Sequence, residues 1–444
     1  MQRISIENFG PISKFTAEVK DVMLLIGPQA IGKSTISKLI FLFKSIKDEI
    51  MSSLDSDPPI ETFAQPLETI LNHIKINLLK TMVMGLTDDS FRIEFEYSPD
   101  KKISIFNSSD YLDIKLSDIL FDELNSLILE IISYKIIYAN QQKTNQTLES
   151  KIELRIQKQS DFIRFKHRLN QIFEDMRPTV FIPSGRSLMS TLSQQLQKIE
   201  KTQNMDFFTK SFVERITLLK PFFINDIYSQ YVQEKFWSSL PQVTGEFRQS
   251  DFNDVKKASD IIKKILKGVY RLQDNEERIY INDNKFVRLQ DASSGQQESV
   301  WILLLIFKYI LDQTSIFVVF EEPEAHLYPE TQSDIVDLIG LLANVNNNQI
   351  IITTHSPYIL SSLNNLLYAY QVGTKKQDSE RETVEKIVNQ KSWLDPRRTA
   401  AYFIGENYYE SIIDEELQLI KAEKIDSASG IINDKFNRLF DLDD

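Results

Sequence analysis

Eight residues, Gly27-Pro28-Gln29-Ala30-Ile31-Gly32-Lys33-Ser34, complete a G-x-x-x-x-G-K-[ST] pattern. Glycines at its ends let successive backbone N–H groups curl around a polyphosphate, and a helix starting there adds its partial positive charge. Lys33 would reach the β- and γ-phosphates, the Ser34 hydroxyl would coordinate Mg2+, and Thr35 closes the nucleotide-binding set. Such a loop needs a rigid mount. The apolar run Val22-Met23-Leu24-Leu25-Ile26 reads as a buried strand ending at the first glycine, and Ile36 to Ile46, apolar at helical spacing, as the helix after it.

Other chemistry-bearing stretches follow far down the chain. Ala292-Ser293-Ser294-Gly295-Gln296-Gln297-Glu298 opens an apolar helix, Val300 to Leu311. Alone, Asp291-Ala-Ser-Ser also reads as a helix N-cap with a glycine nearby. The run from Ile316 to Phe320 then delivers Glu321 and Glu322 to the C-terminal edge of a strand, where α/β sheets bind ligands. Strand alternation points the two carboxylates in different directions. They can therefore have different jobs: Glu321 would hold the Mg2+ shell, and Glu322 would orient or deprotonate an attacking water. A third apolar run, Ile350-Ile-Ile, leads to Thr353-Thr354-His355-Ser356-Pro357, with one of only four histidines in the chain. A lone histidine at a strand end is more often structural, and only the ordered set argues for chemistry here. Val180-Phe-Ile-Pro183-Ser184-Gly185-Arg186-Ser187 is a strand and turn between the loop and these motifs.

The ordered set Gly27–Ser34, Ser293–Gln296, Phe320–Leu327 and Thr353–Pro357 resembles the ABC-type ATPases of the SMC/RecF/OLD group. The wording "EEPEAHLYPE" with "TTHSPYIL" is similar to the OLD-type branch, including ATPase subunits of bacterial anti-phage systems such as PARIS and Septu. Arg3 to Ile12 also looks like the opening strand of that group. The resemblance covers residues 1–50 and about 180–370. It implies that Ser293, Ser294, Gly295 and Gln296 contact the γ-phosphate held by a partner subunit, and that His355 bonds the γ-phosphate and keeps the water in line. Glu321 departs from the aspartate usual at its position. Arg186 fits a Pro-x-x-Arg variant at the segment linking nucleotide to the helical lobe, which implies a sensor of nucleotide or dimer interface. An arginine paired with an acidic neighbour is the competing description.

The fold expected is α/β: an ABC-type P-loop ATPase head with a mixed central sheet, an antiparallel β subdomain and helical insertions. The head is split over residues 1–50, 178–188 and 268–372. An insertion at 51–177 is β-rich and then forms a helical arm, 189–267 is an extended helical lobe, and 373–444 an acidic helical closure. Within the first insertion, Phe91–Tyr97, Lys102–Phe106 and Tyr111–Lys115 read as strands, and Leu116–Ile132 and Ile152–Met176 as helices.

The chain of 444 residues has no cysteine, so disulfides and thiolate zinc sites are excluded, which suits a reducing cytoplasm. Its longest apolar runs fall short of a membrane span, and the opening residues read as a strand rather than a signal peptide. A cytoplasmic protein with no membrane partner is expected. The net charge is −12, and from Ile404 to Asp444 eleven acidic residues face four basic ones. That acidity argues against non-specific coating of nucleic acid and says little about a local groove. Two basic helical faces (Lys151, Arg155, Lys158, Arg164, Lys166 and Arg168; then Lys256, Lys257, Lys263, Lys264 and Lys267) leave DNA as a candidate partner beside the reading of solvated faces.

The resemblance implies ATP and Mg2+ as cofactors and a head-to-head dimer or larger homo-oligomer, because the signature residues act on the opposite copy's nucleotide. OLD nucleases carry a metal-nuclease domain after the histidine motif. Here 89 residues follow His355, and the one Asp-x-Asp, Asp441-Leu-Asp443, is terminal, so no nuclease is read in this chain. The expectation is a sensor ATPase that controls a separately encoded effector nuclease in anti-phage defence. A RecF/SMC-like clamp in DNA repair or chromosome maintenance is the alternative. A transporter-energising subunit is disfavoured by the degenerate signature and the long insertions.

Overall fold

The computed structural model describes residues 2–55, 67–69, 71–72, 90–108, 111–144, 147–191, 205–224, 249–421, 433–435 and 437–438. Large parts of the expected helical lobe, and most of the closing stretch from Ile425 to Phe440, lie outside the described residues. The chain divides into two units: Met1–Val19, Thr35–Thr179 and Glu406–Tyr408, then Lys20–Ser34, Val180–Gly405 and Tyr409–Asp444.

In the first unit, β1 (Arg3–Phe9) and β2 (Ile12–Glu18) form a hairpin. β4 (Arg92–Ser98), β5 (Lys101–Ser108) and β6 (Tyr111–Leu116) extend it into an antiparallel sheet of order β2-β1-β4-β5-β6. Ile4, Ile6, Ile93, Phe95, Ile103 and Ile105 are buried while Arg3 and Arg92 face water, the two-residue period of a sheet with one covered face. The helix Lys33–Asp55 supplies that cover: Phe43 stacks on Phe95 with ring centroids 5.3 Å apart, and the Tyr97 hydroxyl donates to Phe43 O at 2.6 Å. On the same helix, Lys44 and Lys47 are buried against Asp175, Lys44 Nζ donating to Asp175 Oδ2. Two long helices, Asp118–Thr144 and Leu148–Ile172, pack on each other through Tyr134 and Phe165.

The second unit is built on a six-stranded sheet of order β14-β13-β3-β12-β11-β7. Its members are β3 (Val22–Ile26), β7 (Thr179–Ile182), β11 (Phe317–Glu321), β12 (Gln349–Thr354), β13 (Thr399–Gly405) and β14 (Tyr408–Ser411). β11, β12, β3 and β13 run parallel, with Phe320, Ile352, Leu24 and Ala401 in register. Every residue of β3, β11 and β12 is buried, as expected of parallel strands covered on both faces. The helices Ser294–Asp312, Pro329–Ala343 and Pro357–Lys375 bury their apolar sides in the same core. Because the strands are parallel, the segments following β3, β11 and β12 leave from one edge, which is how distant motifs come together. β8 (Val269–Gln273), β9 (Glu276–Asn282) and β10 (Lys285–Arg288) make a separate antiparallel sheet. The architecture is the α/β one expected, a mixed central sheet with antiparallel sheets and helices.

The boundaries need two corrections. The N-terminal hairpin joins the antiparallel sheet through β1–β4 pairing, so that sheet is not confined to the insertion. The segment 373–444 is not simply a helical closure, because Thr399-Ala-Ala-Tyr-Phe-Ile-Gly405 enters the central sheet beside β3. That run is short and apolar, and the acidic residues after it concealed a strand signal. Among the described residues, no helix is long and apolar enough to cross a membrane.

Candidate nucleotide site

The phosphate loop leaves β3 at Gly27, whose φ is +151°, and turns again at Gly32, φ +101°. A Cβ on Gly27 would lie 2.1 Å from Ile404 O at the end of β13, so only glycine fits. Pro28, Gln29 and Ala30 form the exposed crest, Ala30 taking a left-handed φ of +62°, and Ile31 is half-buried behind it. Lys33 is buried, and its Nζ donates to Gly27 O at 2.8 Å and to Pro28 O. Burial lowers the Lys33 pKa, while the carboxylates of Glu322 and Glu324 oppose that shift. Ser34 is exposed in the first turn of the helix, with Thr35 following.

The carboxylates at the end of β11 do diverge. Glu321 is buried, its Oε2 accepting from Ser184 N at 3.5 Å. Glu322 leaves the strand with a left-handed φ of +44°, an uncommon state for a side chain of this size. Its N donates to Thr353 O at 2.9 Å, and its partly exposed Oε1 lies 3.3 Å from His355 Nδ1. Glu324 is buried as well: Oε1 accepts from Thr354 Oγ1 and from His355 N at 3.4 Å, while Oε2 has no hydrogen-bond partner among the described residues. Burial raises the Glu324 pKa against the bond from Thr354.

At the other motif, Ser293 is the N-cap of the helix Ser294–Asp312 in a reciprocal capping box. Gln296 N donates to Ser293 Oγ, and Ser293 N donates to Gln296 Oε1 at 3.1 Å. The N-cap description is therefore correct for the local structure, and Ser293 and Ser294 are also exposed. Gly295 sits against the turn after β11, where a Cβ would come within 2.9 Å of His326 O.

Arg186 behaves as the competing description had it. Its side chain is fully buried, and its guanidinium is spent on the protein. Nε donates to Glu298 O at 2.9 Å, Nη1 to Pro183 O at 2.7 Å and Glu321 O at 2.9 Å, and Nη2 to Glu322 O at 3.1 Å. The Glu298 carboxylate lies 3.5 Å from Nη2 and accepts from the N–H groups of Arg186 and Ser187. Four of the five guanidinium N–H groups thus bond main-chain carbonyls, and Nη2 also faces the Glu298 carboxylate.

Sequence reasoning quoted Glu298 and Glu324 within their motifs and gave neither a role. The available signal was an acidic side chain in a stretch otherwise bound for the core. The Ser34 hydroxyl and the Glu321 carboxylate could hold Mg2+, being oxygen ligands suited to a hard cation that takes further ligands from phosphate and water. No cluster of three or more His, Cys, Asp or Glu among the described residues could hold a metal alone. The basic faces are partly engaged: Arg164 and Arg168 pair with Glu130, and Lys257 and Lys264 with Glu385 and Asp334.

The AAA ATPase domain family matches residues 1–360, and the chain belongs to that family. It carries a P-loop of the kind such ATPase domains use, Gly27 to Ser34. The protein ea59 of Escherichia phage lambda is 29% identical over 101 residues, 21% of this chain and 19% of the phage protein. The chain thus spans about a fifth of that relative's length. A probable ABC transporter ATP-binding protein, p29 of Mesomycoplasma hyorhinis, is 24% identical over 211 residues, 45% of this chain and 77% of that protein. Among solved structures, the Smc head domain with an extended coiled coil bound to the C-terminal domain of ScpA, from Pyrococcus furiosus, aligns over 98% of this chain and 100% of that one, at 13% identity and a TM-score of 0.37.

Proposed function

We propose that this ATPase closes on ATP as a head-to-head dimer and acts as the sensor subunit of an anti-phage system, holding or releasing a separately encoded effector nuclease. The observation that carries the catalytic part is the grouping of Lys33, Glu322 and His355 at one edge of the parallel sheet. Lys33 would neutralise the β/γ oxygens of ATP, and Ser34 and Glu321 would hold Mg2+, which would supply further positive charge there. Glu322 takes the proton of the attacking water, and His355 fixes the Glu322 carboxylate and meets the γ-phosphate. The exposed Ser293 and Ser294, with Gly295 and Gln296, complete the partner copy's site, so that ATP itself is the clamp.

The defence assignment is supported by the motif wording, Glu321-Glu322-Pro323-Glu324-Ala325-His326 with Thr353-Thr354-His355-Ser356-Pro357, which is similar to OLD-type ATPases. The test is capture of the Glu322→Gln chain from its native host in the presence of ATP, with the bound protein and nucleic acid identified. A nuclease encoded beside this chain supports the proposal. DNA retained at moderate salt without a protein partner would replace it with the RecF/SMC-like clamp.

A further inference from the structure

We infer that Arg186 is a positioning residue for catalysis, locking the backbone of Glu322 to the start of the signature helix rather than reading nucleotide. The inference rests on Glu322 being the group that activates water. A left-handed φ on a glutamate is costly and persists only where its surroundings over-determine it. Here they do. Glu322 N is tied to Thr353 O, and Glu322 O accepts from both Ala325 N and Arg186 Nη2. The same guanidinium holds Glu321 O one residue earlier, so consecutive carbonyls at the end of β11 hang on one side chain.

The other side of Arg186 faces Glu298, on the second turn of the helix that begins with Ser293 and Gly295. Arg186 binds the main-chain carbonyl of Glu298, and the Glu298 carboxylate in turn caps the N–H groups of Arg186 and Ser187. Ser190 Oγ adds a bond to Gln297 O at 2.6 Å. One planar fork therefore links the helix carrying the signature to the turn carrying the water-activating carboxylate, within one unit of the chain. A shift of that helix is transmitted to Glu322 through rigid hydrogen bonds rather than through flexible side chains. The geometry asks for guanidinium specifically: lysine has a single nitrogen and cannot reach carbonyls of Pro183, Glu321, Glu322 and Glu298 from one plane.

The test compares Arg186→Lys, Glu298→Gln, Glu322→Gln and the double variant Arg186→Lys/Glu322→Gln. Turnover, ATP affinity from a binding titration, and thermal unfolding are measured for each. Arg186→Lys should keep ATP affinity within about threefold, yet lose on the order of 10- to 100-fold in kcat, the scale expected for misplacing a catalytic group by about 1 Å. In the Glu322→Gln background the same change should have little further effect on the residual rate, because a positioning role vanishes with the group positioned. Glu298→Gln should lower kcat in the same direction by a smaller factor. Weakened ATP affinity with kcat intact would overturn the inference and return Arg186 to nucleotide contact. Multiplying effects in the double variant, or failure of both Arg186→Lys and Glu298→Gln to fold, would make Arg186 a core brace only. Unchanged turnover in Glu322→Gln alone would instead defeat the assignment of the base, a separate result.

Discussion

His355 Nδ1 and Glu322 Oε1 lie 3.3 Å apart, one on the segment leaving β12 and the other on the segment leaving β11. Adjacent parallel strands in register place the two segments side by side, and Glu324 fixes the approach by accepting from His355 N. A carboxylate meant to take a proton gains from a neighbour that sets its direction. Glu322→Gln is therefore expected to bind ATP and to lose about 10²- to 10⁴-fold in turnover, the usual worth of a positioned general base. His355→Ala should lose less, because it removes the orienting group and leaves the base. A phosphate-release assay at saturating ATP checks both, and equal rates in wild type and Glu322→Gln would remove Glu322 from the chemistry.

Lys33 is buried at the loop with its ammonium on the loop's own carbonyls. On the proposed mechanism, binding ATP exchanges those carbonyls for phosphate oxygens. Lys33→Ala should weaken ATP by at least about tenfold, roughly 1.4 kcal/mol, and abolish every ATP-dependent change. An equilibrium titration with a fluorescent ATP analogue reads this directly, and unchanged affinity would mean that the loop does not hold the phosphates.

Gly27 makes a sharper test of the mount. Any Cβ there meets Ile404 O at 2.1 Å, on backbone that cannot swing aside. Gly27→Ala should cost about 1–3 kcal/mol of local strain and weaken ATP binding, since relief requires moving the loop away from β13. Wild-type binding and melting temperature in this variant would show that the close approach is not real.

Lys44 and Asp175 form a buried ion pair in the first unit. Burial alone would raise the Asp175 carboxyl, but Lys44, Lys47 and Arg177 around it hold it well below the usual carboxylate range. A depressed folded-state pKa means that the unfolded chain binds the proton more readily. The stabilisation is thus complete above the unfolded value of 3.8 and is lost as pH falls below it. Asp175→Asn removes the buried carboxylate that faces Lys44 and Lys47 and should cost about 3–5 kcal/mol. Thermal unfolding at pH 7 and pH 3 tests this: the gap between wild type and variant should be wide at the first and narrower at the second. An equal gap at both would locate the stabilisation elsewhere.

The parts legible in the sequence are those whose chemistry is local. The phosphate loop is contiguous, and β3, β11 and β12 announce themselves as short apolar runs that end in polar residues. The different settings of Glu321 and Glu322 were expected from strand alternation, whereas Glu322 turns off the strand through a left-handed φ of +44°. Arg186 was legible only as a pairing with some acidic neighbour, because three of its four carbonyl partners lie more than a hundred residues away and a carbonyl leaves no trace in residue type. Glu324 was hidden for a related reason: its burial depends on Thr354, which arrives from another strand. β13 was missed because its pairing with β3 joins opposite ends of the chain, and the acidic residues beyond it suggested a surface element.

On the proposed mechanism, ATP closes two copies of this chain around composite sites. The measurement that tests it most directly is the mass in solution of the Glu322→Gln chain by light scattering, with and without Mg2+ and ATP, beside Lys33→Ala under the same conditions. The account predicts that ATP at least doubles the mass of Glu322→Gln and leaves Lys33→Ala unchanged. A Glu322→Gln chain that binds ATP and keeps the mass it has without nucleotide would contradict it.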